Sequence, residues 1–290
     1  MANIAFEQIL SSKVFRFLVG PQKREYVIHA SLVGSQSPAL EKLVFGEMKE
    51  AITGCTVWED VNEATFVRFG QYVYTGDYDG EEPFEPPVQE PEPCASEVAS
   101  VVDQELVAEE NYWGALPRKS KKSKKLSAWG VEPVVEPSED TGRAATPLAR
   151  RDAWMSFTEE RSYSCGVAKS VLPPKHSNTL TGYKEVFLSH AQVHIMADYY
   201  DIRPLAQLAL HKLHRILCEF TLLDKRIGDI VSLLQFCFEA DERPLLRELL
   251  SAYAACHFKQ LWTSLEFREF FASCGELSVA VMSNLVQRLD

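Results

Sequence analysis

A segment in the middle of the chain has a composition that is incompatible with a buried core. Residues 81–110 carry ten acidic side chains and no lysine or arginine, and five prolines lie between Pro83 and Pro93. Further proline, serine and acidic residues follow up to about Ser177. Such a segment buries too little apolar surface to offset the entropy that is lost on ordering. We therefore predict a disordered insertion over residues 80–184, which interrupts the folded part of the chain.

Two features within this insertion suggest contacts. The short apolar patches Tyr112–Trp113 and Trp154–Phe157 are candidates to dock on a partner or on the folded part. A basic cluster carries six positive charges in eight residues: Arg118, Lys119, Lys121, Lys122, Lys124 and Lys125. Such a run is typical of a nuclear localisation signal or of a contact with nucleic acid or an acidic partner. The alternative is a solvated run that partly neutralises its acidic flanks.

The overall charge argues against a general nucleic-acid binder. The chain has 30 Lys and Arg residues against 41 Asp and Glu residues, a formal net charge of −11, whereas binding to phosphates needs clustered basic side chains. No apolar run approaches the roughly 20 residues that cross a bilayer. Residues 1–10 contain Glu7 and no basic region, so we expect no secretory signal. These features predict a protein of the cytoplasm, the nucleus or both.

The cysteines argue against a disulfide scaffold and against a cysteine-rich zinc module. The chain has seven cysteines, an odd number, and no pair has the CxxC spacing. Several lie in apolar contexts, such as Cys237 between Phe236 and Phe238. Buried free thiols in a reducing compartment are the expected result.

The first 79 residues alternate short strands with well-marked helices. Val14–Val19 and Glu25–Ile28 have the alternation of strands, and the turn residues between them predict a hairpin. A short helix over Ala30–Val33 and a third strand over Cys55–Trp58 are expected. Ser37 and Asn62 are predicted to cap the helices that run to about Phe45 and Tyr74, because both side chains can accept hydrogen bonds from a first turn. Gly76 suits the left-handed position that ends the second of these helices.

The C-terminal 105 residues are predicted to be all helical. The first helix runs from about Val186 to Tyr200 and is broken by residues 201–204, which include Pro204. Apolar residues then recur at the three- and four-residue spacing of helices. The predicted stripes are Leu205/Leu208/Ala209/Leu213/Ile216/Leu217/Phe220, Ile227/Ile230/Val231/Leu234/Phe238, Leu246/Leu249/Leu250/Tyr253, Phe267/Phe270/Phe271 and Val281/Met282/Leu285/Val286/Leu289.

Several residues have the chemistry of a functional site, but each also has a structural explanation that we favour. His190, His194 and Asp198 recur every fourth residue, a spacing that can present a metal-binding face, and a partly buried helix face explains it as well. For His29 we favour a histidine that caps a turn. For His211 and His214 we favour a face of the next helix, and for Cys237 and Cys256 buried thiols. The sequence therefore predicts no catalytic, cofactor or metal site.

Nine short segments follow one another in a characteristic order along the chain. They are Phe15–Gly20, Tyr26–Leu32, Ser35–Leu40, Trp58–Val61, Thr65–Phe66, Tyr72–Tyr78, His190–Val193, Met196–Ile202 and Leu205–Ala209. This ordered set resembles the BTB/POZ domain over about residues 12–79 and 185–218. The likeness is to the BTB-domain proteins that are common in filamentous fungi, which carry a variable insertion at this position and a helical C-terminal tail.

The resemblance implies an α+β protein with the BTB/POZ fold, a small sheet with a helical cluster. The first part of this fold spans residues 1–79 and its last helices span 185–218, separated by the insertion and followed by a helical extension over 219–290. It also implies a non-catalytic protein-interaction module that acts by homo- or hetero-oligomerisation and partner recruitment. The expected partner is a protein, either a second copy or a cullin, and no cofactor, membrane or small-molecule substrate is implied.

One position departs from the family pattern. Many BTB domains have an acidic residue just before the first strand, where it contributes to the dimer pocket of the zinc-finger-associated members, whereas this chain has Lys13. That departure argues against this mode of dimerisation. Two alternatives remain open: a substrate adaptor for a cullin-based ubiquitin ligase, with its contact surface near residues 62–74 and 190–202, and a nuclear transcription-linked factor that uses the charged insertion.

Overall fold

Three strands form a small mixed sheet in the order β2-β1-β3. The strands are β1 (Val14–Val19), β2 (Arg24–His29) and β3 (Cys55–Trp58). β1 pairs with β2 in antiparallel register and with β3 in parallel register. Alternate residues of β1 are buried, which is the period-two pattern that a half-buried strand requires. The computed structural model describes residues 5–84, 150–159, 163, 182–239 and 243–287, all of which belong to one compact unit.

Five helices surround this sheet along the first part of the chain: α1 (Phe6–Ser11), α2 (Ala30–Gly34), α3 (Pro38–Phe45), α4 (Lys49–Thr53) and α5 (Glu63–Thr75). The Ser37 side chain accepts a hydrogen bond from the Leu40 amide at 3.1 Å, and the Asn62 side chain accepts one from the Ala64 amide at 2.8 Å. Gly76 ends α5 with a φ of 80°. The caps and the end of α5 predicted from the sequence are thus confirmed.

Eight more helices make up the rest of the described chain: α6 (Arg150–Glu159), α7 (Lys184–Tyr199), α8 (Arg203–Glu219), α9 (Ile227–Glu239), α10 (Pro244–Cys256), α11 (Phe258–Leu261), α12 (Leu265–Ser273) and α13 (Gly275–Val286). A short 3-10 turn over Asp224–Arg226 precedes α9. The prediction of an α+β protein with a helical C-terminal region is confirmed.

The α7–α8 hairpin is shared between two hydrophobic cores. Its residues near the turn, such as Met196 and Leu205, pack with the sheet and with α2, α3 and α5. The opposite ends of the same helices, such as Phe187 and Leu217, pack with α9, α10, α12 and α13. The predicted boundary at residue 218 therefore does not separate two independent cores, because both are built on one pair of helices.

The predicted disordered insertion is wrong for part of its length. Residues 150–159 form α6, in which Ala153 and Phe157 are buried in the C-terminal core. The apolar patch Trp154–Phe157 thus docks on the folded part, one of the two outcomes expected for it. The insertion also begins and ends at adjacent points, because Phe84 and Gly182 form an antiparallel bridge with amide–carbonyl distances of 3.0 and 2.8 Å. Residues 85–149, with the patch Tyr112–Trp113, lie outside the described residues.

The last predicted apolar stripe is also partly wrong. Val281 is fully buried, but Met282 and Val286 are both 48% exposed. The residue that completes the buried face is Leu277, one turn earlier. Because α13 packs mainly on α10 and α12, its far side remains in solvent.

A helix must be long and predominantly apolar to cross a bilayer. Among the residues that the structure describes, no helix meets both conditions.

Candidate functional site

The structure does not bring the candidate metal ligands of α7 together. His190 and His194 are buried, whereas Asp198 is exposed and pairs with Arg243 at 2.5 Å. Nδ1 of His194 donates a hydrogen bond to the Ala206 carbonyl at 2.9 Å. Within the described parts of the chain, His, Cys, Asp and Glu side chains form no group of three that could hold a metal ion.

His190 lies at the centre of a buried polar network instead. Its Nδ1 shares a hydrogen bond of 2.7 Å with the hydroxyl of Tyr78, which is 1% exposed. The ammonium of Lys212 lies 4.4 Å from the centre of the Tyr78 ring and pairs with Asp77 at 2.5 Å. Arg68 donates to the Asp79 carbonyl at 3.1 Å. The network fixes the segment that leaves α5 (residues 77–84, the exit segment) against α7 and α8.

The electrostatics of this network keep His190 neutral. Burial, reinforced by the positive charges of Lys212 and Arg68, lowers the pKa of His190 to about 3. Burial likewise raises the pKa of Tyr78 well above its usual value. Both groups therefore stay uncharged at neutral pH, and their arrangement supports packing rather than proton transfer.

Gly80 gives a direct test of how tightly the exit segment packs. A Cβ atom at this position would lie 2.6 Å from Nε2 of His190. We expect Gly80→Ala to lower the free energy of unfolding by about 1–3 kcal/mol, because the ring cannot move without breaking its hydrogen bond to Tyr78. Urea denaturation of the full chain measures this change.

Gly228→Ala is the matched control. A Cβ atom there meets nothing within 4 Å, and the residue lies in α9. We expect this variant to be unchanged or up to about 1 kcal/mol more stable, because alanine favours the helix. Equal stability of the two variants would contradict the close packing of Gly80 on His190.

The remaining candidate histidines also make structural contacts. Nδ1 of His29 shares a hydrogen bond of 2.8 Å with the Tyr74 hydroxyl, so its side chain ties β2 to α5 rather than capping a turn as predicted. Nε2 of His214 donates to the Phe157 carbonyl at 2.8 Å, and His211 stacks on Tyr163.

The candidate nucleophilic cysteines are buried. Cys237 and Cys256 lie in the C-terminal core, as predicted. Burial raises the pKa of the Cys237 thiol, so the reactive thiolate is disfavoured there. Cys55, Cys218 and Cys274 are free and half-buried.

An open groove lies where β3, α5, α7, α9 and α10 meet. Its volume is about 600 Å³. Trp58 and Met196 are buried in its floor, and Phe236 forms part of one wall. Tyr200 stacks on Trp58 with ring centres 4.1 Å apart, and the neighbouring Tyr199 is 70% exposed at the rim.

The groove also carries polar groups. Thr65 donates a hydrogen bond to the Gln192 side chain at 3.2 Å. Arg243 projects from the start of α10 to pair with Asp198, and its Nε atom is buried with no hydrogen-bond partner among the described residues. Burial raises the pKa of Tyr200, and the neighbouring Tyr199 and the charge of Asp60, which lies at the rim, add to this rise. The groove thus combines aromatic faces with polar groups, which suits a peptide segment.

Only part of this groove could be predicted from the sequence. The segments 62–74 and 190–202 were expected to contribute a contact surface, and Thr65, Gln192 and Tyr199 come from them. Phe236 and Arg243 come from the C-terminal extension, and no local signal in the sequence predicts their meeting with β3. Lys13 is exposed just before β1, and the basic cluster 118–125 lies outside the described residues.

Comparisons of the chain with protein-family models, with curated proteins and with solved structures find no match.

Proposed function

We propose that this chain is a non-catalytic protein-interaction module of the BTB/POZ type, which acts by homo- or hetero-oligomerisation and partner recruitment. Three features support the proposal. A β1–β2 hairpin is followed by helices and by β3 parallel to β1. The α7–α8 hairpin then packs back on the sheet core, and the groove beside β3 lies on the side that the family resemblance assigns to partner contacts.

The observation that carries the proposal is the exposed aromatic rim of the groove. Tyr199 exposes most of its ring next to the stacked Trp58–Tyr200 pair. Tyrosine and tryptophan contribute large contact areas at low entropic cost and dominate the binding energy of many interfaces. A partner chain that covers this rim would bury the ring of Tyr199.

Tyr199→Ala tests this function. We expect the variant to lose at least about tenfold in affinity for a partner that binds at the groove, without loss of stability, because the side chain is exposed. The measurement is affinity capture of the tagged full chain from its native cell type, quantified by mass spectrometry. Leu265→Ala removes a side chain of similar exposure (62%) on α12 and is the control.

The proteins captured with the wild type and with each variant distinguish the proposal from its alternatives. A partner that is lost with Tyr199→Ala and retained with Leu265→Ala supports the proposal, and a cullin among such partners identifies a ubiquitin-ligase adaptor. Chromatin proteins without a cullin identify the nuclear factor, whose import would depend on the basic cluster 118–125. Identical partner sets for the wild type and both variants, with a monomer by light scattering, contradict the proposal.

A further inference from the structure

Helix α6 lies in a groove that is distinct from the one beside β3. Its principal neighbour is α10, and it also contacts α8 through His214. Trp154 and Phe157 stack on each other with ring centres 5.4 Å apart and face this second groove together. The two residues are three positions apart, so they lie on one face of the helix.

The side chains of the groove surround this aromatic pair. The Trp154 ring centre lies 5.0 Å from that of His257 in an edge-on arrangement, and the Phe157 ring centre lies 4.8 Å from that of His214 at 88°. Tyr253 contacts both rings, at 6.2 and 5.8 Å. Because these arrangements depend on ring geometry, the groove selects a helix with two aromatic rings at this spacing.

Polar groups of the groove hold the backbone of α6. Nε2 of His214 donates to the Phe157 carbonyl at 2.8 Å, and the thiol of Cys256 donates to the Ala153 carbonyl at 3.7 Å. The Phe157 carbonyl belongs to the last turn of α6, where helix carbonyls lack an intrahelical partner. His214 therefore caps the end of a helix that is seated in the groove, whatever the side chains of that helix are.

Helix α6 is only partly buried in this second groove. Of the seven residues 153–159, two are buried, two are half-buried and three are exposed. A cavity of about 340 Å³ lies beside its C-terminal end and is lined by Thr158, Tyr163 and residues of α8. A ten-residue helix is not stable alone in water, so α6 gains its helical structure from the groove. Its binding and its folding are thus one step.

We propose that this groove, lined by His214, Tyr253, Cys256 and His257, is a binding site for an amphipathic helix with two aromatic rings three residues apart, and that α6 is its tethered occupant. The partner that fits is a helix with the chemistry of α6: aromatic residues on one face and a free C-terminal turn that reaches His214. This site is independent of the groove beside β3 and does not rest on the proposed function.

The covalent attachment of α6 to the chain determines when a second helix can bind in this groove. Because α6 belongs to the same chain, its concentration at the groove is of millimolar order. A free helix at micromolar concentration therefore binds only when the contacts of α6 are weakened. The double variant Trp154→Ala/Phe157→Ala removes both rings of α6 and leaves the groove residues unchanged.

The test is fluorescence anisotropy with a labelled peptide of residues 150–159 and the full-length protein. We expect the peptide to bind the double variant at least tenfold more tightly than it binds the wild type, whose groove is occupied. A peptide with both rings replaced by alanine is the matched control and is expected not to bind. Adding His214→Phe to the double variant keeps a ring but removes the donor, and we expect it to weaken binding at least tenfold.

Three results would overturn the proposal. The first is a folded double variant, with a cooperative melting transition, that does not bind the peptide. The second is equal binding to the wild type and to the double variant, which places the peptide elsewhere. The third is binding that is insensitive to His214→Phe. The single variant Trp154→Ala, which replaces a half-buried ring, provides the same test if the double variant does not fold.

Discussion

Phe17→Ala is expected to lower the free energy of unfolding by about 3–5 kcal/mol. Phe17 is fully buried at the centre of β1. Its ring centre lies 5.0 Å from those of Trp58 and Phe66 and 5.2 Å from that of Phe15. Removing the ring deletes its apolar burial and leaves a cavity in an aromatic cluster that is held in place on several sides, so the neighbours can relax only partly.

The effect should appear as a lower midpoint in urea denaturation of the full chain with an unchanged slope. Phe6→Ala makes the same chemical change at a ring that is 71% exposed on α1, and we expect it to change the free energy of unfolding by less than about 0.5 kcal/mol. Equal losses for the two variants would mean that Phe17 is not part of a packed core.

The elements that the sequence predicts well are those whose ends are marked locally. Ser37 and Asn62 accept hydrogen bonds from residues two or three positions ahead, and Gly76 adopts its left-handed conformation directly after the last residue of α5. Such signals act over a few residues and need no knowledge of the tertiary structure. The bounds of α3 and α5 were predicted to within one residue for this reason.

The short helices α1 and α4 were missed because they carry no periodic signal. Helices α1 and α4 have six and five residues, and all of these residues are at least partly exposed. Helix α6 was missed for a different reason. The argument for disorder averages composition over about a hundred residues, whereas α6 depends on Trp154 and Phe157 and on a groove formed by helices far away in the sequence.

The candidate site could be predicted only in part, because it is assembled by the shared α7–α8 hairpin. The family resemblance predicts a contact surface on the segments near Thr65 and Tyr199. Phe236 and Arg243 reach the same groove because α9 packs on α7 and because Arg243, at the start of α10, pairs with Asp198 of α7. The shape of the groove and the packing of both cores are therefore linked through one pair of helices, and a change in either core can reach the Tyr199 rim.

Acid is expected to destabilise the fold through His190. Its pKa is about 3 in the folded chain because of burial and the charges of Lys212 and Arg68, against 6.5 when it is exposed. Between these two values the unfolded chain binds a proton that the folded chain excludes, so the free energy of unfolding falls as the pH falls. The slope approaches about 1.4 kcal/mol per pH unit, which gives about 2–3 kcal/mol between pH 6.5 and pH 4.5.

His190→Asn isolates this contribution from that of the other titrating groups. Asparagine retains a polar group that can face the Tyr78 hydroxyl, but it takes up no proton in this range. We expect the variant to lose part of its stability at pH 7.5 and to show a shallower decline from pH 6.5 to pH 4.5 in urea denaturation. His194, whose pKa burial also lowers, would account for part of the remaining slope.

Tyr78→Phe is the control for this pH dependence. It removes the hydrogen bond of 2.7 Å but leaves a buried imidazole next to Lys212 and Arg68, so we expect lower stability at every pH with the wild-type slope. Parallel pH profiles for the wild type and His190→Asn would show that His190 takes up a proton in the folded chain. The network would then tolerate a charged imidazole, and the exit segment would be held by the ion pairs of Lys212 and Arg68 rather than by the neutral Tyr78–His190 contact.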